Sequence, residues 1–192
     1  MAGLRSQVLL LAALVVARVC LAADSRSLSE RAEQKFQHIQ KNGQLPRPDS
    51  RPTEITETEI NAYLASGQVQ LPVGVESLRI EGVAGVTTAH CRVDFDRVRA
   101  GRANSNPLLR LFSGVHDVVV EAQATGVHHQ GTVHVNSVAI DGITVPTFVL
   151  QLFVEKYVTP RYPGIGLDST FALPHKIESA IVGHHKLTVV QR

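Results

Sequence analysis

The hydrophobic and polar positions of this chain follow two rhythms, and the change between them divides it. Residues 145–158 read VPTFVLQLFVEKYV, in which Thr147, Gln151 and Glu155 recur every fourth residue. At helical spacing they form one thin polar stripe. Phe148, Leu150, Leu152, Phe153, Val154, Tyr157 and Val158 cover most of the remaining circumference. Pro146 fits a first helical turn, and Pro160 and Pro163 close the segment, so the pattern predicts an apolar helix of about three turns. Such a helix needs cover on more than one side. The rest of the protein, a bound apolar molecule or a membrane must supply it.

Upstream, between residues 78 and 142, the period is two. Leu78 and Ile80 alternate with polar neighbours, as do Ala89, Cys91, Val93 and Phe95, then Val118, Val120, Ala122 and Ala124, then Val133 and Val135. This predicts an antiparallel meander with one face in the core, punctuated by hairpin turns at Gly82, Gly85, Gly126 and Gly131. A compact apolar insert, Pro107 to Phe112, interrupts it and suggests one or two helical turns. After the apolar helix and a Gly and Pro loop, Ile177 and Ile181 lead to a turn at residues 183–186. Leu187 and Val189 return from it.

Two shorter helices precede the sheet. Ser27 to Glu30 reads as a capping box opening an amphipathic helix over residues 24–43, with Ala32, Phe36 and Ile39 on one face and Gly43 as its stop. Three prolines in residues 44–52 predict an extended linker, leaving this helix loosely docked or free. The next segment carries a second capping box, Thr56 with Glu59, an Ile55 and Ile60 staple, and a Gly67 stop. Ile60, Tyr63 and Leu64 are expected to seat that helix on the sheet.

The first 23 residues change how composition is read. Arg5, the apolar run from Val8 to Val16 and the small residues before Asp24 have the layout of a cleaved secretory signal peptide. Cleavage removes Arg5 and Arg18, leaving 17 Lys and Arg against 17 Asp and Glu, so the net charge falls from +2 to zero. No basic cluster remains to mark a nucleic-acid site. Cys91 becomes the single cysteine, so a core without disulfides must hold the domain.

Candidate chemistry is sparse. The nine histidines include pairs at 128–129 and 184–185, but none of the spacings HxxxH, CxxC or HExxH occurs, which predicts no metal site. There is no G-x-S-x-G elbow, and Ser113 near His116 lacks the context of a nucleophile and base. Asp94 and Asp96 share a strand face and read as a solvated edge; Cys91 falls on the apolar phase and reads as an inert thiol. The expectation is a protein that is not an enzyme and uses no cofactor.

Two further patterns are carried by longer stretches. Leu71 to Ser77 and Leu173 to Ser179 share the form Leu-Pro-x-x-aliphatic-Glu-Ser, which predicts the same way into the sheet at two places. The exported address, the TETEINAYL helix at 56–64 and the closing segments at 171–179 and 187–190 together resemble small bacterial exported proteins of the LmeA-like and YpmS-like kind. That resemblance covers roughly residues 53–192. It implies a strongly curved antiparallel sheet wrapped around a long helix, related to tubular lipid-binding domains, with a phospholipid or other acyl ligand in the groove.

These readings converge on one α+β domain at residues 53–192, a curved antiparallel sheet against a long apolar helix with short N-terminal helices, in an exported protein of the periplasm or extracellular space. The expected activity is binding or carriage of a lipid-like ligand, with transient membrane contact. Leu109, Phe112, Phe148, Leu152, Phe153 and Tyr157 are predicted to line the groove. Arg110, Gln151 and Glu155 are predicted at a headgroup rim. The alternative is a cell-envelope interaction or scaffold module that meets a protein partner and takes no small molecule.

Overall fold

A computed structural model of the chain describes residues 24–100 and 112–192. The predicted signal peptide and most of the apolar insert, including Leu109 and Arg110, lie outside the described residues. The chain forms helix α1 over residues 24–44, then β1 (Thr53–Thr56), α2 (Glu57–Ala65), β2 (Val75–Val83), β3 (Val86–Asp94) and the short α3 (Phe95–Arg99). There follow β4 (Val115–Val127), β5 (Gln130–Ile140), β6 (Ile143–Thr144), α4 (Thr147–Phe153) with a π-helical turn at Val154–Val158, β7 (Asp168–Ala172), β8 (Ile177–Gly183) and β9 (Lys186–Gln191). The fold is α+β, and the nine strands of the described residues belong to one antiparallel sheet.

β4, 13 residues long, is the spine of that sheet. One of its edges carries β5. The other pairs with β3 from Val115 to Gln123 and then with β8 at Thr125 and Gly126. β9 and β1 extend the β8 side, and β6 and β7 share the far edge of β5. The two-residue rhythm sets the inner face: Cys91 and Val93 of β3, Val118 and Val120 of β4, and Val138 and Ile140 of β5 meet Val149, Leu150, Phe153 and Tyr157 in one core.

Several expectations change. Gly126 and Gly131 are not turns but lie opposite each other within β4 and β5. A Cβ on Gly131 would come within 2.6 Å of the Phe171 ring, so close strand packing is what glycine permits there. The turn is made by His128 and His129, both in the left-handed region (φ 51° and 62°), where histidine is among the better-tolerated non-glycine residues. The strand ends at Asp94, whose carboxylate accepts from the amides of Asp96 and Arg97 at 3.0 Å. Asp94 is thus a helix cap, and Asp96 pairs with Arg99, so the two carboxylates share no strand face.

The apolar segment is helical from Thr147 to Val158, but not as one long α-helix. It passes into a π turn in which the Thr159 amide donates to the Val154 carbonyl at 2.9 Å. Leu152, Phe153 and Val154 are three consecutive apolar residues, which α geometry spreads too widely around the axis to share one face. The π turn rotates less per residue and draws Phe153, Val154, Tyr157 and Val158 into a narrower arc. Thr147, Gln151 and Glu155 are exposed, as their spacing requires.

α1 is docked. Lys35 Nζ sits 2.8 and 2.7 Å from the two carboxylate oxygens of Glu59, and the Phe36 and Tyr63 rings are 5.1 Å apart. Gly43 packs so closely on His175 that a Cβ would lie 2.3 Å from its carbonyl oxygen. Residues 44–52 are correspondingly tied down: the Asn42 side chain bonds both the amide and the carbonyl of Asp49 at 2.8 Å.

Candidate functional site

Between the inner face of the sheet and the helix at 147–158 lies an apolar cavity of about 420 Å³ that is open to solvent. Its floor is built by the inward phase of three strands, chiefly Cys91, Val93, Val118, Val120, Val135 and Val138. Phe95 and Phe112 form one end, their rings 5.3 Å apart and edge-on. Phe153 packs on both, at 5.6 and 4.3 Å, and Tyr157 lies 5.1 Å beyond it. The aromatic row therefore runs from α3 along the helix into the cavity wall.

The mouth is made by loops. Val73, Tyr162 and Ile165 all line it and are all exposed. Arg161 stands among them, half-buried, with Nη1 donating to the Val98 carbonyl. Tyr157 is 1 % exposed, and among the described residues its hydroxyl has no hydrogen-bond partner. A buried phenol without an acceptor is uncommon, because leaving it unpaired costs on the order of 1–3 kcal/mol.

The residues predicted for the groove separate on the structure. Phe112, Phe153 and Tyr157 line the cavity. Leu152 is half-buried and packs against the core without reaching the cavity wall. Phe148 is 59 % exposed and belongs to the outer side, because at helical spacing it lies beside the exposed Gln151, three residues on, and Glu155, seven residues on. Gln151 and Glu155 bond each other at 3.2 Å on that same outer side, away from the mouth, so neither forms a rim. The predicted Leu109 and Arg110 lie outside the described residues.

Sequence reasoning missed Val73, Arg161, Tyr162 and Ile165. The signal was present: Tyr162, Ile165 and Leu167 are large apolar residues inside a Gly and Pro loop, with Arg161 beside them. Cys91 is a cavity-wall residue, and burial pushes its thiol pKa up, which keeps it protonated and a poor nucleophile.

The histidines serve local structure. His116 Nδ1 meets Asp141 at 2.6 Å while Nε2 meets the Ser113 carbonyl at 2.6 Å. Two acceptors on one ring favour the imidazolium, so hydrogen bonding to Asp141 and then to Ser113 raises its pKa. His134 pairs with Asp168, and His185 with Glu57. Among the described residues, no three His, Cys, Asp or Glu side chains converge as a metal site. A second hollow of about 450 Å³ lies between α1 and the β8–β9 hairpin, where Glu33, Gln37 and His175 share the wall with Ile39 and Ile55. It is the seam along which α1 docks.

In comparisons with known proteins, no protein-family model, curated protein or solved structure matches the chain.

Proposed function

We propose that this is an exported, non-enzymatic protein that binds or carries a lipid-like ligand in the cavity between the sheet and the helix at 147–158. In this reading the sheet curves against the helix and the space between them is the binding groove. The observation that carries it is the cavity itself. It has the size of a small-molecule pocket, an almost wholly apolar wall and few polar groups, which is the composition such sites share. The exposed apolar residues at the mouth, Val73, Tyr162 and Ile165, suit a surface that touches a membrane while a ligand passes. The likeness to LmeA-like and YpmS-like proteins and the signal-peptide pattern point the same way. The chemistry is burial of an apolar chain, at roughly 25 cal/mol per Å² removed from water.

The test is uptake of a neutral, environment-sensitive probe such as N-phenyl-1-naphthylamine. Wild type should enhance its fluorescence saturably, and Val120→Trp, which places an indole in the cavity, should abolish that enhancement without lowering the melting temperature by more than a few degrees. A folded Val120→Trp variant with undiminished uptake sinks the groove assignment.

The alternative, an envelope interaction module, draws on one specific feature. Ile143 and Phe148, 68 % and 59 % exposed, are the most exposed large apolar side chains among the described residues and flank the start of α4. An Ile143→Ser/Phe148→Ser double variant that keeps probe uptake but loses a co-purifying protein would favour that reading.

A further inference from the structure

Accepting the lipid-binding reading, we infer that the ligand is a single-chain carboxylate, a free fatty acid, with its carboxylate held at the mouth by Arg161 and Tyr157 as the polar contact inside. Three observations combine. The first is charge. Among the described residues that line the cavity, Arg161 is the only one that carries a full charge at neutral pH. Among the described residues its guanidinium has one hydrogen bond, from Nη1 to the Val98 carbonyl, and no carboxylate lies within ion-pair distance of it. That bond fixes the guanidinium against α3 while leaving its other N–H donors for an anion. A planar carboxylate is the ligand group whose two oxygens match that fork.

The second observation is the orphaned Tyr157 hydroxyl, buried in the same wall about one helical turn before Arg161. A phenol that finds no acceptor among the described residues is satisfied if the ligand brings an oxygen. Tyr157 and Arg161 follow each other on one continuing helical path, with the Arg161 amide bonded to the Val158 carbonyl at 2.9 Å. One headgroup can thus be addressed from both.

The third is volume. At about 420 Å³ the cavity lies toward the lower end of the roughly 300–1,000 Å³ range of small-molecule pockets, a scale that suits a single acyl chain. The mouth fits the same ligand, since among the described residues Val73, Tyr162 and Ile165 surround Arg161 with apolar surface and add no second charge for a zwitterionic headgroup.

The experiment is displacement of N-phenyl-1-naphthylamine from the full chain by palmitate, methyl palmitate and a monoacyl glycerol phosphate, below their critical micelle concentrations. Wild type should release the probe to palmitate at least tenfold more readily than to the ester. With displacement referenced to each variant's own probe affinity, Arg161→Gln should lose that tenfold preference, Arg161→Lys should recover part of it, and Tyr157→Phe should weaken palmitate severalfold. Equal displacement by acid and ester in wild type overturns the carboxylate assignment and leaves the lipid reading standing. So does stronger displacement by the monoacyl phosphate. Absence of probe uptake and palmitate binding in wild type overturns both. The acid-to-ester ratio in wild type needs no variant to fold.

Discussion

Asn42 and Gln191 join their side-chain amides at 2.9 Å, fully buried and 149 residues apart in sequence. The same Gln191 Nε2 donates to the Ile39 carbonyl at 2.8 Å and the His175 carbonyl at 2.7 Å. One glutamine thereby ties α1, the turn before β8 and the last strand together. Gln191→Ala removes all three of these bonds at once. It should destabilise the protein by roughly 1–3 kcal/mol in urea unfolding, in a single transition shared by α1 and the sheet. Independent melting of α1 would show that the helix is an appendage.

Cys91 reports on the cavity from inside. Its thiol is in the wall and its pKa is raised by burial, so alkylation by iodoacetamide should be slow at pH 8. Palmitate should slow it further, several-fold at saturation. Labelling that proceeds at the rate of a free thiol, indifferent to palmitate, would place Cys91 outside the binding space.

The His116 and Asp141 pair gives a pH dependence with a definite sign. The His116 pKa is raised in the fold, chiefly by its hydrogen bond to Asp141. Its contribution to stability is therefore complete below about pH 6.5, the unfolded value, and is lost as pH rises through the higher folded value. Asp141 is shifted the other way, its pKa lowered by His116, so its contribution is lost as pH falls through that lowered value. Proton NMR of the His116 ring should show a midpoint above 6.5, and Asp141→Asn should bring it down. An unchanged midpoint in that variant would exclude the pairing.

The β2–β3 turn sets Ala84 at φ 47° before Gly85 at φ 85°, a left-handed pair that favours Asn-Gly. Ala84→Asn should stabilise the domain by about 0.5–1 kcal/mol, seen as a higher denaturation midpoint with unchanged slope.

Much of the architecture was legible because local signals agreed. Thr56 and Glu59 form the capping box their spacing announces: the Thr56 amide meets Glu59 Oε2 at 2.8 Å, and the Glu59 amide meets Thr56 Oγ1 at 3.3 Å. The repeated Leu-Pro-x-x-aliphatic-Glu-Ser pattern proves to be one structure made twice. The amide of Val75 bonds the Pro72 carbonyl and that of Ile177 the Pro174 carbonyl, at 2.9 and 3.0 Å. In both strands the register then slips at the glutamate, Glu76 or Glu178, which pairs with Arg92 or Arg192.

What was not legible depended on tertiary context. The period-two pattern gave the phase of Cys91, Val118 and Val120 but not the glycines at 126 and 131, whose strand role follows from Phe171 and Leu173 packing over them. Helical spacing put Gln151 and Glu155 on a polar stripe without saying that the stripe faces away from the cavity. Docking of α1 rests on Lys35, Asn42 and Gln191, polar residues whose partners lie far along the chain and leave no periodic trace.

Native mass spectrometry of the purified protein, followed by organic extraction of whatever accompanies it, tests the central claim most directly. The account predicts a stoichiometric mass increment that extracts as an apolar chain. A bare polypeptide mass, with no uptake of added palmitate or N-phenyl-1-naphthylamine, would contradict it and leave the cavity as an unfilled part of the core.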